Sequence, residues 1–71
     1  MPEMHMVSSS NIEAVGYDSA AREVHVRFLK TGRTYIYFDV DEYVFTELRN
    51  ADSVGIYLNQ NIKPRYQCGE L

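Results

Sequence analysis

Apolar and polar residues alternate without a break from Glu23 to Phe28, and this is the clearest structural signal along the chain. A period of two residues indicates a β-strand with one buried face and one exposed face. The pattern therefore predicts a strand whose core-facing side chains are Val24, Val26 and Phe28. The opposite face, turned to water, is expected to carry Glu23, His25 and Arg27.

Two further strands are predicted, one on each side of this segment. Residues 12–18 alternate less regularly, and Gly16 within them indicates a bend or a close backbone contact. Residues 34–38 are β-branched or aromatic, which is typical of strands. Short stretches that favour turns separate the three segments, so an antiparallel meander is expected.

The hairpin between the second and third strands decides which face of the sheet carries Tyr35 and Tyr37. With a two-residue loop at residues 31–32, Phe28 lies opposite Tyr35 and both tyrosines join the apolar face. This arrangement is favoured, because aromatic side chains must supply much of so small a core.

A three-residue loop with a bulge at Gly32 is the alternative register. It would place Val26 opposite Ile36 and turn both tyrosines outward beside basic side chains. Such a surface is an aromatic platform of the kind on which unpaired bases stack.

Two helices are predicted after the strands. Asp41 is suited to cap the first, over residues 42–50, and Ser53 is suited to cap a shorter second helix that reaches about residue 61. Pro64 ends the second helix, because proline cannot continue the pattern of backbone hydrogen bonds.

Together these elements predict an α+β fold: a three-stranded antiparallel meander followed by two short helices packed on one face, in the order β-β-β-α-α. Residues 1–71 would form a single domain with loose termini at residues 1–8 and 67–71, although the first segment could add a short edge strand. The other sheet face would remain open to solvent or to a partner.

Composition narrows the possible functions. The 71 residues carry a net charge of −3, which is the wrong sign for a protein held to nucleic acid by its overall field, so an RNA-binding role would need a local basic patch. The single cysteine, Cys68, excludes an intrachain disulfide and fits a reducing compartment. A cytoplasmic location is expected, and no secretory leader or membrane-spanning run is evident.

An ordered set of short motifs runs along the chain: Ser9-Ser10-Asn11-Ile12, Val15-Gly16-Tyr17-Asp18, Val26, Phe28, Gly32, Tyr35-Ile36-Tyr37, Val40, Val44-Phe45, Leu48, Ala51, Ser53, Gly55, Tyr57, Asn59, Ile62 and Tyr66. This set resembles the KTSC domain family, which is known as a domain at the carboxyl end of some lysyl-tRNA synthetases and as small stand-alone proteins. Family members often have proline where Asp41 stands, tyrosine at Phe45 and phenylalanine at Leu58. The resemblance implies an RNA-binding role only by association with the synthetase.

Three groups of candidate site residues follow. The candidate nucleic-acid contacts are His25, Arg27, Lys30, Arg33, Lys63 and Arg65, and the candidate apolar contacts are Leu29 and Ile36. The family-motif residues Tyr35, Tyr37, Ser53, Gly55 and Asn59 are interpreted as structural. The alternative is an anion site formed by residues 53–55 with Asn59 and Lys63, because a capped helix start offers free backbone N–H groups.

Catalytic and metal-binding chemistry is not expected. His5, His25 and Cys68 have no paired ligand spacing, and Cys68 lies in the tail without a positioned histidine base. The sequence therefore predicts no enzyme activity, no cofactor and no metal site. The leading hypothesis is a non-catalytic binding module for RNA, and the alternative is a module for protein interaction or self-association that uses the open sheet face or an edge strand.

Overall fold

A computed structural model describes residues 2–71 and shows an antiparallel sheet covered on one face by helices. The five strands follow one another across the sheet in chain order. They are β1 (Met4–Met6), β2 (Ile12–Asp18), β3 (Glu23–Phe28), β4 (Thr34–Tyr37) and β5 (Cys68–Glu70).

The helical layer lies in the chain between β4 and β5. Helix α1 spans Glu42–Asn50, and α2 (Val54–Tyr57) continues directly into a π-helical turn, Leu58–Ile62. Within residues 2–71, no helix has the length and apolar character needed to cross a membrane.

The predicted α+β fold is confirmed in class, but the prediction of three strands is wrong, because both terminal segments join the sheet. Strand β1 pairs with β2, with Met4 opposite Gly16, and β5 pairs with β4, with Gly69 opposite Ile36. These strands have three residues each, so their own sequences carry too few positions to show a period of two.

The hairpin joining β3 and β4 adopts neither of the two predicted registers. The Phe28 N–H donates to the Arg33 carbonyl oxygen at 2.9 Å, and the Gly32 N–H donates to the Phe28 carbonyl oxygen at 2.9 Å. The loop therefore has four residues, 29–32, and Gly32 adopts a φ of 69° that glycine accepts readily. Val26 lies opposite Tyr35, which puts the tyrosines on the same face as the valines, as a two-residue loop would also have done.

The core lies between this face and the helices. Tyr17 links the two layers: its ring stacks on Phe45 with centroids 5.4 Å apart, and its hydroxyl donates to the Val40 carbonyl oxygen at 2.6 Å. The buried apolar side chains are Ile12, Val15, Val24, Val26, Tyr37, Val40, Val44, Phe45, Leu48, Val54, Leu58 and Ile62.

The helix starts differ from one another in how they are capped. The Ser53 hydroxyl accepts a hydrogen bond from the Ile56 N–H at 3.2 Å, which confirms the predicted cap of α2. Asp41 precedes α1 but its side chain makes no capping hydrogen bond, and it pairs instead with Arg22.

The sheet face away from the helices, called here the second face, is less exposed than predicted. One row across it consists of Met4, Gly16, His25, Ile36 and Gly69. His25 is only 4% exposed, so its predicted position in water is wrong. Alternation along β3 predicted the face correctly, but it could not reveal that other parts of the chain enclose the histidine on that face.

The amino-terminal segment makes an unusually close approach to Gly16. A Cβ atom added there would lie 2.6 Å from the Glu3 carbonyl oxygen and 2.7 Å from the Met4 Sδ. Backbone of the segment before β1 therefore rests on the second face, beside the row that contains His25.

We expect Gly16→Ala to destabilise the fold by about 1–3 kcal/mol, because the added methyl group would push the Glu3 backbone off the sheet. Gly69→Ala is the matched control, since its Cβ would meet the Phe38 ring at 3.5 Å, an ordinary contact distance. Urea unfolding followed by circular dichroism measures both. Equal losses of stability in the two variants would contradict the close approach at Gly16.

Candidate nucleic-acid interface

Two aromatic rings remain partly exposed where the sheet extends past the helical layer. Phe28 ends β3 and Tyr35 lies in β4, and their rings pack edge to face with centroids 5.6 Å apart. Both are half-buried, whereas Val24 and Val26 on the same face are completely buried. The helices therefore cover one end of this face and leave the Phe28–Tyr35 end accessible.

Two hollows share this pair of rings. The larger, of about 380 Å³, is lined also by Tyr37, Lys63 and Cys68. The smaller, of about 260 Å³, is bordered also by Asn11, Lys30 and Thr31. Each hollow thus combines an aromatic wall with a lysine at its border.

Lys63 is held close to the aromatic pair by the end of the helical layer. Its backbone N–H donates to the Leu58 carbonyl oxygen at 2.9 Å, which closes the π-helical turn. The Lys63 Nζ lies 5.6 Å from the centroid of the Phe28 ring, within the range of a cation–π contact. We call Phe28, Tyr35, Lys30 and Lys63 the aromatic–lysine site.

The predicted basic residues do not form a single patch. His25 and Arg27 lie on the second face, where Arg27 pairs with Glu13 at 3.1 Å. Arg33 lies near the aromatic–lysine site but pairs with Glu70 at 3.2 Å. Arg65 borders a separate hollow, beside Phe38, Asp39, Tyr66 and Gln67.

The lysines of the site differ from these arginines in their partners. Among residues 2–71, ion pairs engage Arg22, Arg27 and Arg33 but neither Lys30 nor Lys63. Although the chain is acidic overall, two lysines with uncompensated charge therefore border the exposed rings.

The two predicted apolar contacts also lie apart in the structure. Leu29 is exposed in the β3–β4 loop. Ile36 is half-buried on the second face between His25 and Gly69.

Tyr37 forms the inner wall of the larger hollow and keeps its proton at neutral pH. Burial raises the pKa of Tyr37 to about 12, and the nearby Cys68 and Tyr35 act in the same direction. Its phenol is thus a neutral group beside the two rings of the aromatic–lysine site.

A separate polar cleft of about 370 Å³ brings together the motif residues of the amino-terminal loop and of α2. The Asn11 Oδ1 would lie 2.9 Å from a Cβ atom on Gly55, so the Asn11 side chain packs closely against this glycine. Lys63 does not border the cleft, and the Ser53 hydroxyl is occupied as the helix cap. The residues that line it are Ser8, Ser9, Ser10, Asn11, Asp52, Ser53, Val54, Gly55, Ile56 and Asn59.

Comparison with known proteins places this fold and its motif residues in one family, since a model of the KTSC domain matches residues 8–66. The chain belongs to the KTSC domain family. The matched residues include Phe28, Tyr35 and Lys63. They also include the two segments that line the polar cleft, which are the amino-terminal loop and the start of the second helix.

Relatives of this KTSC domain are of similar length. A protein from Tsukamurella paurometabola is 44% identical over 65 residues, which cover 92% of this chain and 96% of the relative. An uncharacterised protein from Stutzerimonas stutzeri is 35% identical over 60 residues, covering 84% and 83% of the two chains.

A solved structure shares the complete fold. The crystal structure of a KTSC domain protein from Yersinia pestis superposes with a TM-score of 0.93 at 31% identity, and the alignment covers 100% of this chain and 99% of that one. The terminal strands that local sequence patterns missed are therefore included in the shared architecture.

Sequence reasoning assigned Phe28 to the core and overlooked its partly exposed ring. The available signal was its position at the last residue of a strand, next to a polar turn, where a covering layer commonly ends. Asn11 and Thr31 were also missed, because only the fold brings their loops to the aromatic pair.

We expect the alkaline loss of stability to be smaller in Tyr37→Phe than in the unchanged domain. The pKa of Tyr37 in the folded state lies above its ordinary value of 10. The neutral phenol therefore makes its full contribution to the free energy of unfolding below pH 10, and this contribution is lost as the pH rises through about 12. Urea unfolding at several pH values between 9 and 12 measures the difference. Tyr43→Phe, which removes a phenol from an exposed position on α1, is the control, and a decline in Tyr37→Phe as steep as that of the unchanged domain would contradict the effect of burial on Tyr37.

Proposed function

We propose that this KTSC domain is a non-catalytic module that binds single-stranded RNA at the aromatic–lysine site. The observation that carries the proposal is the pair of hollows that share the Phe28 and Tyr35 rings, each with a lysine at its border. A reducing, cytoplasmic location forms part of the proposal, since the exposed Cys68 is a free thiol.

The rings supply the first part of the binding energy. Unpaired bases stack on aromatic side chains, with a contribution of about 1–3 kcal/mol per base. Two hollows share one aromatic pair, so two neighbouring nucleotides can each place a base against a ring. A double helix does not offer its bases in this way, because they are already stacked within it.

The lysines supply the second part of the binding energy. Phosphates between and beside the two bases would approach Lys30 and Lys63, whose charges are not used in ion pairs among the described residues. Binding to the phosphate backbone releases counterions, so affinity should fall as salt rises. With only two such lysines on an acidic protein, the expected affinity is modest.

Polar groups at the smaller hollow favour RNA over DNA. Asn11 and Thr31 border it and carry an amide and a hydroxyl that can hydrogen-bond to a ribose 2′-hydroxyl. A test of single-stranded DNA of the same base sequence separates this contribution from stacking and charge.

The alternative, a protein-docking or self-association surface around Leu29 and Ile36, receives less support. Leu29 is exposed, but Ile36 is half-buried and lies on the second face. The free edge strands, β1 and β5, have only three residues each, which gives a partner strand few backbone groups to pair with.

The proposal predicts that Tyr35→Leu weakens binding to an eight-nucleotide single-stranded RNA by about tenfold, because one stacking surface is lost while apolar volume is kept. Fluorescence anisotropy with an end-labelled oligonucleotide at low salt measures the affinity. Tyr43→Leu removes an exposed ring elsewhere and should have no effect.

Charge removal provides a second readout. Replacing Lys63 by Gln should reduce the dependence of log K on log salt by about 0.7, the value for one phosphate contact of a single strand. Arg27→Gln is the matched control, since Arg27 lies on the second face and is paired with Glu13.

Absence of binding at low salt would overturn the proposal, as would an equal loss of affinity in the Arg27 and Lys63 variants. A change in sedimentation behaviour on Ile36→Asp, in a domain that does not bind RNA, would favour the protein-interaction alternative instead.

A further inference from the structure

One imidazole nitrogen of His25 is buried and makes no hydrogen bond within the described residues. The side chain is about 95% enclosed, and its Nδ1 has no hydrogen-bond partner among residues 2–71. Buried polar atoms of this kind are rare in folded proteins, and one common explanation is a role in ligand binding. The aromatic–lysine site does not involve His25, which lies on the other side of the sheet.

The neighbouring Glu23 favours a proton on the Nε2 atom of His25. Its Oε1 lies 3.4 Å from the His25 Nε2. A carboxylate favours a proton on the nitrogen that faces it, so a neutral imidazole carries hydrogen at Nε2 and presents a lone pair at Nδ1. A carboxylate that fixes the far nitrogen in this way is the usual companion of a metal-binding histidine.

The thioether of Met4 lies over Gly16, the residue opposite His25. Met4, Gly16 and His25 occupy consecutive positions in one row across β1, β2 and β3. Gly16 has no side chain, and the Met4 Sδ lies only 2.7 Å from the position that its Cβ would take. The sulfur therefore occupies space that a side chain at position 16 would fill, opposite His25.

The spacing suits a bridging metal ion. Opposite Cβ positions on neighbouring strands are about 4.5–5.5 Å apart, so a sulfur near the Cβ position of Gly16 lies at a comparable distance from the His25 Cβ. Metal–sulfur and metal–nitrogen bonds are each about 2 Å long, so an ion can join a sulfur and a nitrogen about 4 Å apart.

Met6 provides a third possible ligand. It lies on the same face as Met4, two residues along β1, and is 73% exposed, so its flexible side chain is free to turn toward the row. Arg27, the nearest cation along β3, is neutralised by Glu13. The site therefore offers soft ligands without a strong repelling charge.

We propose that Met4, Met6 and His25 form a binding site for a soft monovalent metal ion of the Cu(I) class. Thioether and imidazole ligands favour Cu(I), whereas divalent hard ions require oxygen ligands. This departs from the sequence-based expectation of no metal site, which considered only histidine and cysteine. No group of three or more His, Cys, Asp or Glu side chains comes together within residues 2–71, so the thioethers are essential to the proposal.

The test uses the full chain carrying Cys68→Ser, because the exposed thiol would bind Cu(I) by itself. Cu(I) is titrated without oxygen against a coloured Cu(I) chelator, and Ag(I) replaces it in NMR measurements. We expect one ion per chain, and a movement of the His25 Nδ1 resonance when Ag(I) is added.

Three variants separate a site from adventitious binding. Met4→Leu keeps the apolar volume but removes the sulfur, and it should weaken binding about tenfold or more. Glu23→Gln should weaken binding by about tenfold, because it removes only the carboxylate that orients His25. His5→Asn is the matched control, because His5 lies opposite Val15 on the other face of the sheet, and it should leave affinity unchanged.

An unchanged affinity in Met4→Leu, or an Nδ1 resonance that does not move, would overturn the proposal. Binding that is lost only with His5→Asn would assign the ion to the other face and equally contradict it. RNA affinity is measured separately, so failure here leaves the aromatic–lysine site unaffected.

Discussion

The pairing of β3 with β4 is the constraint on which the rest of the domain depends. A four-residue loop ending at Gly32 sets Val26 opposite Tyr35 and Val24 opposite Tyr37. Because side chains alternate across a strand, a shift of one residue would exchange every inward and outward position on β4. The observed register directs the tyrosines toward the helices and leaves Ile36 beside His25 on the second face.

The helical layer builds on that register but is shorter than the sheet. It covers Val24, Val26 and Tyr37 and ends near the Phe28–Tyr35 pair, where the π-helical turn brings Lys63 over the Phe28 ring. The same aromatic residues that anchor the core thus become a surface at the end of the strands. This explains why aromatic character alone could not separate a core role from a binding role for Tyr35.

The local charge of each surface depends on which basic side chains form ion pairs, more than on how many basic residues the chain has. Arg22, Arg27 and Arg33 each lie against a carboxylate, whereas Lys30 and Lys63, beside the aromatic pair, take part in no ion pair among residues 2–71. Exposed pairs of this kind contribute little to stability, so their main effect is on the local field. A net charge of −3 is therefore compatible with a small basic surface.

The sequence by itself determined the elements that have a clear local period and a clear terminus: the strands over residues 12–18 and 23–28, the helix over residues 42–50, and the cap at Ser53. It also carried enough ordered motifs to indicate the family. Only the tertiary structure decided the two edge strands, the four-residue hairpin loop and the enclosure of His25. The physical reason is that these features depend on contacts between distant segments: a three-residue strand exists only through its neighbour, and the amino-terminal backbone lies over Gly16, opposite the buried His25.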